Sequence, residues 1–176
     1  MRSLEVLGVR VEMPTNKPIV LLKETDGTRF LPIWVGAAEA TAIAYAQQGV
    51  EPPRPLTHDL IATLIPALGH RLTEIRISSL QDSYFRATLV FDGTVEVDSR
   101  ASDAIAIALR TGTGIVTTEA ILDKAGVTIS GEGTQGEGGE GGEVTAEDEV
   151  ERFREFLDHV TPEDFEGGPG EGPHEA

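Results

Sequence analysis

The sequence contains no cysteine. Disulfides, thiolate metal sites and cysteine nucleophiles are therefore excluded, and any reactive centre must be built from oxygen and nitrogen groups. Aromatic residues are scarce, at 5% with a single tryptophan. No basic–aromatic interleaving is visible, so Trp34, Tyr45, Phe85 and Phe91 read as core or interface rather than as base-stacking platforms. Long hydrophobic runs are also missing. The longest uncharged stretches, such as residues 40–50, fall short of the about 18 residues that a membrane helix needs. The first six residues are already charged and alternating, unlike a signal peptide. The expected location is the cytoplasm, with no membrane partner.

Positive charge is short too: 14 Lys and Arg stand against 30 Asp and Glu, for a net charge of −16. The deficit is uneven. Residues 1–129 hold 15 acids and 12 bases, a net of −3, whereas residues 130–176 hold 15 acids against only Arg152 and Arg154, a net of −13. Three regions follow. Residues 1–129 are long enough to bury about two-thirds of their unfolded surface and to fold alone. Residues 130–144 alternate Gly with Glu and read as a flexible linker. Residues 145–176 form an acidic tail with one amphipathic helix, because Val150, Phe153, Leu157 and Val160 recur at helical spacing after an approximate capping box of Thr145 and Asp148. Thr161-Pro162 is a second helix-start signature.

Within the core, Leu4, Val6, Val9 and Val11 alternate with polar or small residues and predict a first strand, bulged at Gly8. Apolar runs at 19–22 and 30–35 flank the turn signal Asp26-Gly27. A helix is predicted over 36–48, stopped by Gly49. A second is predicted over 60–68, with Thr57 as cap, Gly69 as stop and Pro66 bending or ending it. Leu72, Ile75 and Ile77 open another strand, and residues 85–91 turn back through Asp92-Gly93 into Val95 and Val97. A third helix covers 102–110 with Ser102 as its cap, followed by the short apolar pair Ile115-Val116 and a helical turn or two over 117–125. Hairpin-linked strands with helices between groups favour an α+β fold: a mixed, largely antiparallel sheet with helices packed against it.

Three segments lie at strand-to-helix corners or helix starts: Trp34-Val35-Gly36-Ala37-Ala38-Glu39-Ala40, Arg54-Pro55-Leu56-Thr57-His58-Asp59-Leu60 and Val97-Asp98-Ser99-Arg100-Ala101-Ser102-Asp103-Ala104-Ile105-Ala106. Together they resemble the bifunctional nuclease family, small bacterial and plant domains credited with cleaving both DNA and RNA. The resemblance runs in order over about residues 2–127. It departs at Ala101, where the family usually has proline, a loss of helix-start rigidity but not of chemistry. Some members carry a C-terminal helical module like that of nucleotide-excision-repair proteins, of which residues 147–160 resemble a reduced form. The resemblance implies the fold and nuclease activity; roles for residues must come from their chemistry.

Phosphodiester hydrolysis needs an activated water, charge neutralisation at phosphorus and help for the leaving oxygen, all of which carboxylate-held Mg²⁺ or Mn²⁺ can supply. Asp98 and Asp103 flank one strand-to-helix corner, and Asp59 and Glu39 each lie in a helix's first turn, where the dipole favours ionised acids. If those corners converge, Glu39, Asp59, Asp98, Asp103 and His58 form the catalytic set, with Asp59, Asp98 and Asp103 as metal ligands. His58 is then the general base or a further ligand. Arg54, Arg100 and Arg110 become the phosphate clamps. A plainer account also fits each residue. First-turn acids complement helix dipoles, Thr57 and Ser102 are ordinary caps, and Arg100 and Asp103 can form a local ion pair. The charge balance gives no broad phosphate-neutralising surface, so a nucleic-acid substrate is expected to bind weakly. A homo-oligomer is expected, and the tail helix is expected either to fray or to rest its stripe on a protein partner, a neighbouring subunit or its own core. The other function class compatible with these features is a non-catalytic oligomeric regulatory or scaffold module.

Overall fold

The computed structural model describes residues 1–13, 15–81 and 84–128. The expected linker and tail helix lie outside the described residues. The chain forms β1 (Arg2–Glu12), β2 (Lys17–Glu24) and β3 (Arg29–Trp34), then α1 (Ala37–Gln48) and α2 (Thr57–Ala67). A second meander follows, β4 (Leu72–Gln81), β5 (Tyr84–Phe91) and β6 (Val95–Arg100). The described chain ends with α3 (Ala101–Thr111), β7 (Ile115–Thr117), α4 (Glu119–Ala125) and β8 (Val127–Thr128).

All the strands join one mixed sheet in the order β6-β5-β4-β7-β1-β2-β3-β8. Every pairing is antiparallel except β4 with β7. The fold is α+β. The three-residue β7 stitches the two meanders together, parallel to β4 and antiparallel to β1. Buried Thr117 reinforces that seam, its Oγ1 donating to the Ile77 carbonyl at 3.1 Å. The Asp92-Gly93 signal is used as read: both residues take left-handed φ, +51° and +76°, which suits a tight hairpin between β5 and β6.

The core lies between the sheet and the helices. Ala104, Ile105, Ala106, Ile107 and Ala108 are consecutive and all buried, so α3 is enclosed all round, with α1, α2 and the sheet about it. α1 packs on α3, and buried alanines in both helices, Ala40 and Ala42 among them, keep side-chain bulk low. On the other side of β2, Ile19 and Leu21 form a smaller cluster with Phe30, joined by Leu7, Trp34 and Val127. At the far edge, Glu24 accepts from Arg29, which also pairs with Glu119 and Asp123 and so ties α4 to the sheet.

Two caps differ from expectation. Thr57 is the first residue of α2 and Leu56 its N-cap; the capping acceptor is Asp59, whose Oδ2 takes the Leu56 N–H at 2.8 Å. The carboxylate at the third helical position thus satisfies the N–H of the N-cap residue itself, whereas a threonine cap would accept from an N–H inside the first turn. Likewise α3 begins at Ala101 with Arg100 as N-cap, and no side-chain cap bond forms, so Ser102 is a buried helical residue. Because β6 runs straight into α3, there is no loop for a serine to cap. Pro66 is tolerated near the end of α2, which stops one residue later before Gly69 at φ +80°.

Candidate active site

The β6–α3 corner is where the three motif segments meet. Arg100 leaves β6 beside the first turn of α3, so its guanidinium reaches Asp103 one helical turn on: Nε donates to Oδ2 at 2.6 Å and Nη2 to Oδ1 at 3.0 Å. Nη2 also reaches Glu39 Oε1 at 3.0 Å, from the first turn of α1. His58, in the first turn of α2, places Nε2 3.1 Å from Asp103 Oδ1. An ionised carboxylate only accepts, so Nε2 carries the proton and Nδ1 is the nitrogen left to accept one. Four motif residues from three helix starts therefore form one chain, Glu39–Arg100–Asp103–His58.

The chain is partly enclosed. The side chains of His58, Glu39 and Asp103 are 13%, 17% and 26% exposed, whereas Arg100 is 67% exposed. Burial alone would raise the Asp103 carboxyl, but hydrogen bonds from Arg100 and His58 outweigh it and hold the group below the ordinary aspartate range. Arg100 is raised in turn, chiefly by its bond to Asp103. Gly36 serves Glu39 directly: a Cβ there would collide with Glu39 Oε2, so the glycine gives the carboxylate room to turn toward Arg100. An open cleft of about 570 Å³ is lined by Glu39, His58, Asp98, Arg100 and Asp103, with Leu56 and Ile61 on its apolar wall.

Asp98 shares that cleft but has another partner, Arg86 of β5, whose Nη2 lies 2.8 Å and Nε 3.2 Å from its Oδ1. Asp59 is held elsewhere. It forms an ion pair with Arg110 of α3 and accepts the Leu56 N–H, which together keep its carboxyl below the ordinary range, the Arg110 bond most strongly. It does not line the cleft. Arg110, the third expected phosphate clamp, is only 10% exposed and is paired with Asp59 in this α2–α3 link. Arg54 is exposed before α2 and lines neither cleft at this corner.

The residues present do not fit a preformed Mg²⁺ or Mn²⁺ cage. Among the described residues no three acidic or histidine side chains are placed to share an ion. Of the three expected ligands, Asp59 is bound to Arg110, Asp98 to Arg86, and Asp103 to Arg100 and His58. Sequence reasoning did not anticipate Arg86, although its signal was present: the Asp92-Gly93 turn sets a register in which Asp98 faces Thr88, leaving Arg86 as its diagonal neighbour. A second His–Asp pair, His70 Nδ1 with Asp92 Oδ2 at 2.7 Å, lies at the opposite end of β5 and is more than 40% exposed on both sides. Asp92 also accepts the Arg71 N–H, so this pair secures the hairpin turn.

Residues 20–130 match the family model described as bifunctional nuclease domain. Two proteins of Mycobacterium tuberculosis, from strains CDC 1551 / Oshkosh and ATCC 25618 / H37Rv and both described as uncharacterized, are each 54% identical to this chain over 165 residues. That alignment takes in 94% of this chain and 98% of theirs, so the likeness extends past Thr128. Among the described residues no helix is long and apolar enough to cross a membrane.

Proposed function

The chain belongs to the bifunctional nuclease domain family, and from that premise we propose that it hydrolyses phosphodiester bonds of DNA and RNA in the cleft at the β6–α3 corner. The observation that supports this reading is the 3.1 Å contact between His58 and Asp103 inside a cleft that also presents Arg100. Asp103 fixes the imidazole tautomer and orientation, as a carboxylate partner does for a general base. Nδ1 of His58 then takes a proton from water as the water oxygen attacks phosphorus. Arg100, the most exposed member of the chain, meets the charge that develops on the non-bridging oxygens, exchanging its bond to Glu39 for one to phosphate. The leaving oxygen departs as the P–O bond breaks and is protonated from solvent or from His58.

The cleft carries Glu39, Asp98 and Asp103 against Arg100, an excess of negative charge that a phosphate would meet on entry. Mg²⁺ or Mn²⁺ belongs to this proposal only as an ion that arrives with substrate phosphates, since one or two carboxylates plus phosphate oxygens commonly suffice for Mg²⁺. Purified full-length protein incubated with DNA and with RNA tests the reading. His58→Ala is expected to lower cleavage about 10²–10⁴-fold, the usual contribution of a positioned acid–base group. Cleavage equal to the wild type by that variant overturns the assignment.

A second reading, a non-catalytic oligomeric module, is favoured by one feature. Leu56, Leu60, Leu64 and Leu68 form an exposed row along one side of α2, 40–70% accessible. On that reading a second copy covers the row, and Leu60→Glu abolishes self-association while cleavage is absent throughout.

A further inference from the structure

A second cleft adjoins the first. It measures about 510 Å³, and its walls include Lys17, Trp34, Tyr84 and Arg86. Asp98, Ser99 and Arg100 line both clefts, so the end of β6 is the ridge between them. The two differ sharply in charge. Lys17, Arg86 and Arg100 line the second against one acid, Asp98, whereas the first holds three acids. The weak overall charge of the core thus conceals one cationic recess beside the reactive corner.

Its aromatic lining is arranged for more than filling space. Trp34 ends β3, and its Nε1–H is directed to Glu12 Oε2 at 3.4 Å. Glu12 is 1% exposed and itself takes the Thr15 hydroxyl at 2.5 Å, so the indole is held by its edge, and Trp34 is among the residues that line the cleft. Tyr84 begins β5 and is 77% exposed, so its ring is open to a stacking partner. Lys17, at the start of β2, makes no ion pair among the described residues. Two rings and an uncommitted ammonium therefore stand next to the guanidinium that the hydrolysis reading assigns to the scissile phosphate.

We propose that this cleft is a subsite for the nucleotide adjoining the cleavage point in a single-stranded nucleic acid, with its base stacked on Trp34 and Tyr84 and its phosphate held by Lys17 and Arg86. The inference rests on the proposed hydrolytic site for its direction along the chain, but not for the binding itself. Aromatic stacking requires a base that is free of its helix, so the subsite selects single strands over duplex. A phosphate entering here also relieves Arg86 of Asp98 and delivers the strand to Arg100 across the shared ridge.

Trp34 is the sole tryptophan, so the intact protein reports on its own subsite. Full-length protein is titrated with an eight-nucleotide oligothymidylate at low salt in EDTA, and intrinsic fluorescence is followed. Saturable quenching is expected, with a blunt duplex of equal length binding at least tenfold more weakly. Tyr84→Ala is expected to weaken single-strand binding about tenfold, in the range of one lost base–aromatic stack. Lys17→Ala is expected to reduce the slope of log affinity against log salt by about 0.7, one phosphate contact on a single strand. Circular dichroism spectra matching the wild type establish that each variant is folded, both substitutions being at exposed positions. Absence of quenching, equal binding of duplex, or unchanged affinity in both variants overturns the subsite. Quenching without any cleavage retains the subsite and removes the nuclease reading; cleavage without quenching does the reverse.

Discussion

His58 and Asp103 are separated by 45 positions in the chain, yet Nε2 of one lies 3.1 Å from Oδ1 of the other, joining the first turn of α2 to the first turn of α3. Asp103 simultaneously holds Arg100, so one carboxylate orients both the imidazole to which the proposed hydrolysis gives the proton and the guanidinium to which it gives the phosphate.

Asp103→Asn separates these duties. The amide keeps the shape but loses the charge and can present its NH₂ to the imidazole, which releases the Nε2–H tautomer. Cleavage is expected to fall to a level between wild type and His58→Ala, within the about 10²–10⁴-fold span of a general base. Steady-state kinetics on one oligonucleotide with both variants checks the ordering; Asn equal to wild type would show that the contact does not orient the base.

Arg100→Lys keeps the charge but loses the fork that spans Glu39 and Asp103. The expected outcome is a lower kcat with a smaller change in KM, because an ammonium still attracts phosphate but cannot follow the charge onto two oxygens. A change confined to KM would assign Arg100 to binding alone.

Asp59 is expected to matter for stability more than for turnover. Removing it leaves Arg110, which is 10% exposed, without its carboxylate and removes the cap acceptor at Leu56. Asp59→Ala should cost about 1–3 kcal/mol, the scale of a charge-assisted hydrogen bond, measured by urea unfolding at pH 7. The pH dependence has a definite sign. Asp59 is lowered in the folded protein, so its contribution is present above the ordinary aspartate pKa of about 3.9 and is lost as pH falls through the depressed folded value. The stability gap between wild type and variant should be constant from neutral pH down to about 5 and close only in stronger acid. A gap that closes between pH 6 and 7 would point to a histidine instead.

Chelation supplies a fourth test. If a divalent ion travels with the substrate, EDTA abolishes cleavage and Mg²⁺ or Mn²⁺ restores it, yet the thermal unfolding midpoint of the substrate-free protein does not move, because no preformed cage exists among the described residues. A rise in midpoint on adding either metal alone would reveal a resident site.

The sheet and helices were legible because their signals are local: alternation in β1, the Asp-Gly turn before β6, and the glycine stop of α1 at Gly49. The three motifs lie at element boundaries that the packing brings together, and the Arg100–Asp103 pair, three residues apart, is a local one. What could not be read was the choice of partner across the chain. Asp59 and Asp103 look alike in sequence, each an acid in a helix's first turn. Only the packing of α2 on α3 turns one toward Arg110 and the other toward His58. The scarcity of aromatics points Trp34 toward core or interface and gives no signal for Tyr84; their shared cleft depends on β3 and β5 approaching the β6–α3 corner from different meanders.

Arg100 is the last residue of β6 and the N-cap of α3, and among the described residues β6 is an edge strand with β5 as its one neighbour in the sheet. Five of its six residues are exposed, so detaching it breaks a single ladder and uncovers little apolar surface. Such an opening has a lower free energy than unfolding of the whole domain. Asp98 and Arg100 would leave with the strand, dismantling both clefts while α3 and the central strands stay in place. The proposed cleavage should therefore be lost reversibly, on warming or in mild urea, before the cooperative melt, and hydrogen exchange should reach β6 ahead of β4.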